Sequence, residues 1–290
     1  MNSSELWFTE YNSFSLDERT NGFCFKIKNH LASDKSNFQT LDIYETYEYG
    51  NVLVLDGVVM LTEKDEFVYH DMITHVPYQL LNYNDIQAEN ALVIGGGDGG
   101  TVRELLKYNS IKKIILCEID DMVVNYSRKY FPKVSCGLDD PRVEVIIGDG
   151  IEFMKKQNNK FDIICIDSTD PIGPAVGLFN AEFYQNIYKA LKEHGIVTSQ
   201  QESYISGPQF VEKMNQMLSK IYPNVKFYKA DISTYPTGTW CFVLASKKLN
   251  PLDCYRPDFT EKINFESKYY NSRIHQGAFA LPTYINKILS

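Results

Sequence analysis

Two carboxylates stand three residues apart, Asp167 and Asp170, in the run Asp167-Ser168-Thr169-Asp170-Pro171-Ile172-Gly173-Pro174 that follows the apolar segment Phe161 to Ile166. The apolar segment reads as a buried strand. Acids at the carboxyl end of a strand in an open α/β sheet face the crevice where ligands bind. The two prolines restrict the loop and deny it backbone donors. Such a loop suits a cationic substrate that must also give up a proton. It equally fits an ordinary turn, because short polar side chains bond their own backbone, so the acid pair alone leaves both readings open.

A second chemistry-bearing stretch is Leu92-Val93-Ile94-Gly95-Gly96-Gly97-Asp98-Gly99-Gly100, in which Gly95, Gly97 and Gly100 satisfy GxGxxG between a strand and a helix beginning near Thr101. Glycines there permit a tight turn and a close approach of ligand to backbone. Glu118 ends the next strand twenty-three residues after Gly95, where an acid can accept from both hydroxyls of a ribose. The third strand ends in Gly148-Asp149-Gly150. A carboxylate between two glycines can accept from an adenine amine, although that tripeptide is also common as a plain turn.

These features fit a dinucleotide or an S-adenosyl sulfonium. Asp98 separates them, because a carboxylate inside the glycine loop repels pyrophosphate and attracts a sulfonium carrying a free amine. If Asp98 faces the amino-acid tail, it disfavours the carboxylate of S-adenosylmethionine and favours the decarboxylated form.

The elements that must hold these residues follow from the hydrophobic rhythm. Residues 1–65 read as a β-rich domain, with Phe23–Lys28 and Thr40–Tyr49 alternating at period two and a hairpin at Asp56-Gly57 within Asn51–Leu61. Glu66–Leu81 reads as a helix disturbed by Pro77. From Ala91 strands and helices alternate, which predicts an α/β domain over 66–290 with a mainly parallel sheet covered on both faces. Strands are expected at Ala91–Ile94, Lys113–Cys117, Val143–Ile147, Phe161–Ile166, Gly195–Ser199, Val225–Lys229 and Thr239–Ala245. Helices include Thr101–Tyr108, Asp121–Tyr130, Ala181–Glu193 and Gln209–Ile221, with a short terminal helix after Pro282 and turns near Pro251 and Pro257. Ala230 to Gly238 is too short for a crossover helix, so the final strand should run antiparallel. That closing hairpin belongs to the sulfonium-binding version of this architecture.

Composition bounds the rest. A chain of 290 residues with 44% hydrophobic and 23% charged residues can bury a full core. A net charge of −8 argues against a nucleic-acid partner and is compatible with a cationic small molecule. Cys24, Cys117, Cys136, Cys165, Cys241 and Cys254 show no CxxC spacing and read as small hydrophobes, not as a zinc site or disulfide frame. Met1 to Asn12 lacks a signal-peptide core, and no apolar run approaches a membrane span. The expectation is a cytoplasmic protein with no membrane partner and no metal.

Taken in order, several segments resemble the polyamine aminopropyltransferases, most closely bacterial-type spermidine synthases. They are Gly50 to Gly57, Thr62 to Met72 (with Tyr69-His70-Asp71), Gly95 to Gly100 with Arg103-Glu104, Cys117-Glu118-Ile119-Asp120, Gly148-Asp149-Gly150, Asp167 to Ala175, Thr234 to Gly238, Lys268 to Asn271, and Ala278 to Pro282. The resemblance implies a small N-terminal β-domain on a Rossmann-like catalytic domain, assembled as a homodimer or homotetramer. It implies transfer of an aminopropyl group from decarboxylated S-adenosylmethionine, a co-substrate and not a bound cofactor, to putrescine. The products would be spermidine and 5′-methylthioadenosine. Gln39, Glu118, Asp149, Gly150 and Pro174 would contact the methylthioadenosine part, beside Gly95 and Gly97 of the glycine loop. His70, Asp98, Asp167 and Asp170, with Ser168 and Thr169 between the last two, would meet the amine. Asp167 would accept the proton, Asp170 would anchor the amine, and Tyr69 and Tyr235 would line its channel. His70 reads as a neutral hydrogen-bond partner, since the acids suffice as bases.

The chain departs from eukaryotic members in lacking a Trp-Pro-Gly-Gln motif around Glu10 to Gly22, which favours the bacterial-type branch. Three rivals stay open: an S-adenosylmethionine methyltransferase on the same fold, a non-catalytic polyamine-binding homologue, and an aminopropyltransferase for agmatine, cadaverine or spermidine.

Overall fold

The structure, a computed structural model, describes residues 6–11, 22–171, 173–254 and 263–290. The expectations placed on residues 1–5 and 12–21, on Ile172, on the turn at Pro257, and on the side chains of Pro174 and Cys254 lie outside what is described.

The chain opens with β1 (Trp7–Tyr11), β2 (Gly22–Lys35), β3 (Thr40–Thr46), β4 (Asn51–Leu55) and β5 (Val58–Thr62), an antiparallel meander in sequence order. The Asp56-Gly57 turn joins β4 to β5 with both residues at positive φ, as a tight hairpin requires. Two differences from expectation stand here. β1 was not anticipated, and β2 runs well past Lys28 because its far half lies at the surface, where no alternation of burial marks it.

Helix α1 (Glu66–Tyr83) follows and runs through Pro77 without ending. Proline removes the N–H that would bond the carbonyl of Ile73. The thiol of Cys165 reaches that carbonyl at 3.8 Å instead, and the hydroxyl of Tyr228 donates to the neighbouring carbonyl of Met72 at 3.1 Å. Packing against the sheet thus replaces what the sequence withholds.

The remaining elements are β6 (Asn90–Gly95), α2 (Gly100–Leu106), β7 (Lys113–Glu118), α3 (Asp121–Tyr130), β8 (Val143–Ile147), α4 (Gly150–Met154), β9 (Phe161–Asp167), α5 (Ala181–Ala190), β10 (Leu191–Gln200), α6 (Pro208–Leu218), β11 (Asn224–Ala230), β12 (Trp240–Ser246), α7 (Ser272–Ala278) and α8 (Thr283–Ile288). The short α4 was not anticipated. α5 ends earlier than expected, and β10 starts at Leu191 with an irregular register before Ile196. α6 also stops short, at Leu218.

The second sheet has the order β11-β12-β10-β9-β6-β7-β8. β10, β9, β6, β7 and β8 pair in parallel, while β12 is antiparallel to both β10 and β11, as the short preceding connection demanded. One face is covered by α1, α2 and α7, the other by α4, α5, α6 and α8. α3 adds Val124 to the first face and also packs under the N-terminal sheet, where Met122 and Val123 meet Leu41, Ile43, Leu53 and Leu61. The strand order reverses between β6 and β9, so their carboxyl ends open the crevice expected of such a sheet. The register Gly95↔Asp167 places the glycine loop directly beside the acid loop. Among the described residues, no helix is long and apolar enough to cross a membrane.

Candidate active site

The glycine loop is shaped by its acidic neighbours. Gly95 and Gly96 take positive φ, and a Cβ on Gly96 would lie 2.6 Å from the carboxylate of Asp167. A Cβ on Gly97 would meet the Glu118 side chain at 2.9 Å, and one on Gly100 the His70 ring at 2.2 Å. The third glycine therefore admits an imidazole ring close to the helix start.

Asp167 ends β9 nearly buried, and the hydroxyl of Thr101 donates to its Oδ2 at 2.6 Å. Burial, then the neighbouring charge of Asp98, raise its pKa, while His70, Thr101 and Tyr69 pull the other way. Asp98 accepts from the Gly100 N–H at 2.7 Å and lies 3.2 Å from His70 Nε2. Burial would raise its pKa, but the charge of His70 and these hydrogen bonds hold it below the usual value. One oxygen or nitrogen from each of His70, Asp98 and Asp167 lies within 4.8 Å of the others.

His70, expected to be a neutral hydrogen-bond partner, stands between two carboxylates. Its Nδ1 lies 2.5 Å from Glu66 Oε2 and its Nε2 3.2 Å from Asp98 Oδ1. Two ionised carboxylates are satisfied only if both ring nitrogens carry protons. Burial opposes the charge, but Asp98 and Glu66 outweigh it and raise the pKa well above the usual imidazole range. Arg103 grips Glu66 through both terminal nitrogens, at 3.0 and 2.9 Å. Glu66 is thereby held at about 2 despite the upward push of burial, through its bonds to His70 and Arg103.

Farther along the pocket lies Asp170, half-buried and raised to about 6 by burial. Glu10 from β1 and Glu202 after β10 flank it, each pushed up to about 7, chiefly by burial. Glu202 sits at φ 56°, in the left-handed region that side chains usually avoid. Gln200 donates to the carbonyls of Ser168 and Thr169, both at 3.2 Å, and so fixes the acid loop. The Ser168 hydroxyl is buried with no hydrogen-bond partner among the described residues. Tyr69 and Tyr235 stand with ring centroids 6.2 Å apart, and the Tyr235 hydroxyl donates to the Met60 carbonyl at 2.6 Å. Tyr235 thus presents a fixed ring more than a spare hydroxyl donor.

At the other end Glu118 accepts from the N–H groups of Gly97 and Asp120, at 3.1 and 3.0 Å. Burial still lifts its pKa to about 7. Asp149 caps α4, accepting from Ile151 and Glu152, and Gly150 packs on Ile94. Gln39 reaches across from the N-terminal sheet to Asp120 at 3.0 Å. Pro174 belongs to a short 3-10 turn, Gly173–Phe179.

The structure brings Gln39, Tyr69, His70, Gly95, Gly97, Asp98, Glu118, Asp149, Gly150, Asp167, Ser168, Thr169, Asp170 and Tyr235 to one pocket of about 270 Å³. The side chain of Pro174 lies outside what is described. Glu10, Glu66, Gln200 and Glu202 line the same pocket and were missed, as was Thr101 behind Asp167. An acid at Glu10 has no local pattern to announce it. Glu66 sits four residues before His70 on a helix, a spacing that could have been read as a contact.

A second histidine cluster lies outside the pocket. His75 Nε2 is 3.1 Å from Glu104 and 3.4 Å from Asp71, and its Nδ1 is 2.9 Å from the Tyr108 hydroxyl. Asp71 also accepts from Ser267, Tyr269 N–H and Tyr270 N–H. Glu104 is further paired with Arg103 and Lys107. One ligand atom from each of Asp71, His75 and Glu104 lies within 4.8 Å of the others.

Comparison with known proteins gives the family. Residues 66–256 match the spermine/spermidine synthase domain, and residues 6–63 match the spermidine synthase tetramerisation domain. A polyamine aminopropyltransferase from Alkaliphilus metalliredigens is 48% identical, covering 98% of this chain and 97% of its own length. One from Thermoanaerobacter sp. is 46% identical, covering 98% of both chains. A crystal structure of spermidine synthase in complex with the transition-state analogue AdoDATO superposes with a TM-score of 0.92 at 41% identity, over 99% of this chain and 95% of that one. Spermidine synthase from Thermotoga maritima superposes with a TM-score of 0.91 at 41% identity, over 99% and 94% of the two chains. With both halves matched and relatives this similar over nearly the full length, the chain belongs to the spermidine synthase family of polyamine aminopropyltransferases and is an enzyme.

Proposed function

We propose that the chain transfers the aminopropyl group of decarboxylated S-adenosylmethionine to putrescine, giving spermidine and 5′-methylthioadenosine, with Asp167 as proton acceptor. The observation that carries this reading is the row of acids Asp98, Asp167, Asp170, Glu10 and Glu202 along one pocket whose opposite end holds Glu118 and Asp149. A row of buried acids suits a donor and an acceptor that are both cations.

The chemistry follows from charge. Alkyl amines have pKa values near ~10, so exposing the neutral form at pH 7 costs about 4 kcal/mol. An ammonium has no lone pair to offer. Asp170, with Glu10 and Glu202 beside it, holds the distal ammonium. Asp167 takes the proton from the proximal nitrogen as that nitrogen attacks the carbon next to sulfur. The new C–N bond forms as the C–S bond breaks, and the electron pair goes to sulfur, which leaves as a neutral thioether. No leaving-group acid is required. Holding nucleophile and carbon in line supplies much of the rate, and the faces of Tyr69 and Tyr235 favour the cations.

In this reading Glu118 binds the ribose, Asp149 the adenine amine, and Gln39 and Pro174 close the donor site; no cofactor beyond the two substrates is used. The chain works as a homodimer or homotetramer through its N-terminal sheet. The tetramerisation-domain match and exposed Leu6, Trp7 and Tyr47 on that part of the chain support this. Free Cys24, Cys117, Cys136, Cys165 and Cys241 support a reducing cytoplasm.

The test is mass spectrometry of products from a panel of amines offered with the decarboxylated donor or with S-adenosylmethionine. Spermidine from putrescine and the decarboxylated donor is expected. Methylated product from S-adenosylmethionine alone would identify a methyltransferase. Preferential conversion of agmatine or cadaverine would change the acceptor, and no product from any pair would leave a binding protein.

A further inference from the structure

We infer that Glu66, aimed by Arg103, is a positioning residue whose task is to keep His70 an imidazolium, so that Asp98 and Asp167 both stand ionised before substrate arrives. The inference rests on the proposed reaction and adds a residue to it.

Two carboxylates within 4.8 Å of each other in a buried site repel, and one of them ordinarily keeps a proton. A base that already holds a proton cannot take one from an amine. The charge of His70, between Asp98 and Glu66, removes that obstacle. His70 is itself almost fully buried, so it would lose its proton without compensation. Glu66 supplies the compensation at 2.5 Å, and the two-pronged grip of Arg103 fixes the direction from which it acts. Gly100 leaves the room the ring needs.

Among the described residues, the charged and titratable groups facing this histidine belong to the same circuit. Glu66 comes from α1, Asp98 from the glycine loop, and Asp167 from β9. Arg103 from α2 acts through Glu66, and Tyr69 and Tyr235 face Asp167 and Asp98 as neutral phenols. The chain Arg103–Glu66–His70–Asp98 therefore connects a partly exposed guanidinium to the floor of the pocket.

The test compares wild type with Glu66→Gln, which keeps the shape and the acceptor oxygen but removes the charge. The alkaline limb of the kcat/KM profile is expected to move down by at least about one pH unit, with activity at pH 8 lowered roughly tenfold. The amine titrates identically in both enzymes, so a displaced limb belongs to the protein, and loss of fold alone would not displace it. A limb left in place overturns the inference. Nitrogen-15 NMR of histidine-labelled wild type, with His70 assigned by its loss in His70→Gln, reads the ring directly and needs no turnover. Two protonated ring nitrogens at pH 8 are expected. A neutral ring in an enzyme that still makes spermidine overturns this inference and leaves the proposed reaction standing.

Discussion

Helix α1 carries two buried histidines five residues apart, and they differ in what surrounds them. His70 and His75 each lie between two carboxylates, Glu66 and Asp98 for the first, Asp71 and Glu104 for the second. Around His75 the charges close on themselves, because Arg103 and Lys107 also pair with Glu104. Asp71 there accepts two backbone N–H groups and a hydroxyl from the segment that leads into α7. Around His70 the sum stays negative, because Asp167 adds a third carboxylate and faces the pocket. The same grouping is a staple where its charge is complete and a cation receptor where it is not. Arg103 touches both, through its Nε to Glu104 and its terminal nitrogens to Glu66.

The comparison breaks most clearly at Asp167. Asp167→Asn is expected to lower kcat by about 10²–10⁴-fold while methylthioadenosine binding, followed by calorimetry, survives. Turnover near wild type would remove Asp167 from the base role and with it the chemical half of the contrast. On the staple side, Asp71→Asn strands a buried charge network and should cost roughly 3–5 kcal/mol in urea unfolding, with kcat in the surviving fold little changed. A stable but inactive Asp71 variant would mean the staple is part of the catalytic apparatus.

Linkage to pH sharpens the difference. Glu10, Glu118 and Glu202 are raised to about 7 and Asp170 to about 6, chiefly by burial. The folded chain then binds more protons than the unfolded one, so their contribution is present below the unfolded carboxylate range and is lost as pH rises through about 6–7. Asp71 and Glu104 have lowered values: burial pushes up, but bonds to His75 prevail. Their contribution is present above the unfolded carboxylate range and is lost as pH falls below it. Unliganded stability should decline by roughly 2 kcal/mol for each acid raised to about 7 between pH 5.5 and 8, and spermidine should reverse the decline. Thermal unfolding with and without spermidine checks this; a ligand shift no larger at pH 8 than at 5.5 would count against a pocket built on unpaired acids.

Smaller effects probe the detail. Asp98→Asn should reduce the preference for the decarboxylated donor over S-adenosylmethionine by about tenfold, roughly 1.4 kcal/mol, and an unchanged affinity ratio would place the carboxylate away from the tail. Tyr235→Phe removes one hydrogen bond to the Met60 carbonyl and should cost about 1 kcal/mol of stability. A large loss of kcat with no change in stability would instead give that hydroxyl a chemical role.

Much of this was legible in the chain itself. The alternation of apolar runs from Ala91 identified the strands of the second sheet, because strands buried on both faces are written as continuous hydrophobic segments. The short Ala230–Gly238 connection dictated an antiparallel last strand, since no crossover helix fits. Glycine spacing and strand-end acids named Gly95, Gly97, Asp98, Glu118, Asp149, Asp167 and Asp170 of the pocket lining. Tertiary structure alone decided the rest. Pro77 stays helical where the Cys165 thiol of the sheet reaches the Ile73 carbonyl it orphans and Tyr228 donates to the neighbouring carbonyl of Met72. Glu10 joins the pocket from a strand more than a hundred and fifty residues away from Asp170 in sequence. The surroundings of His70 are built by two carboxylates, one a helical turn away and one from a separate loop. A local pattern records which residues can bond, whereas the charge of a buried group is set by everything that converges on it in space.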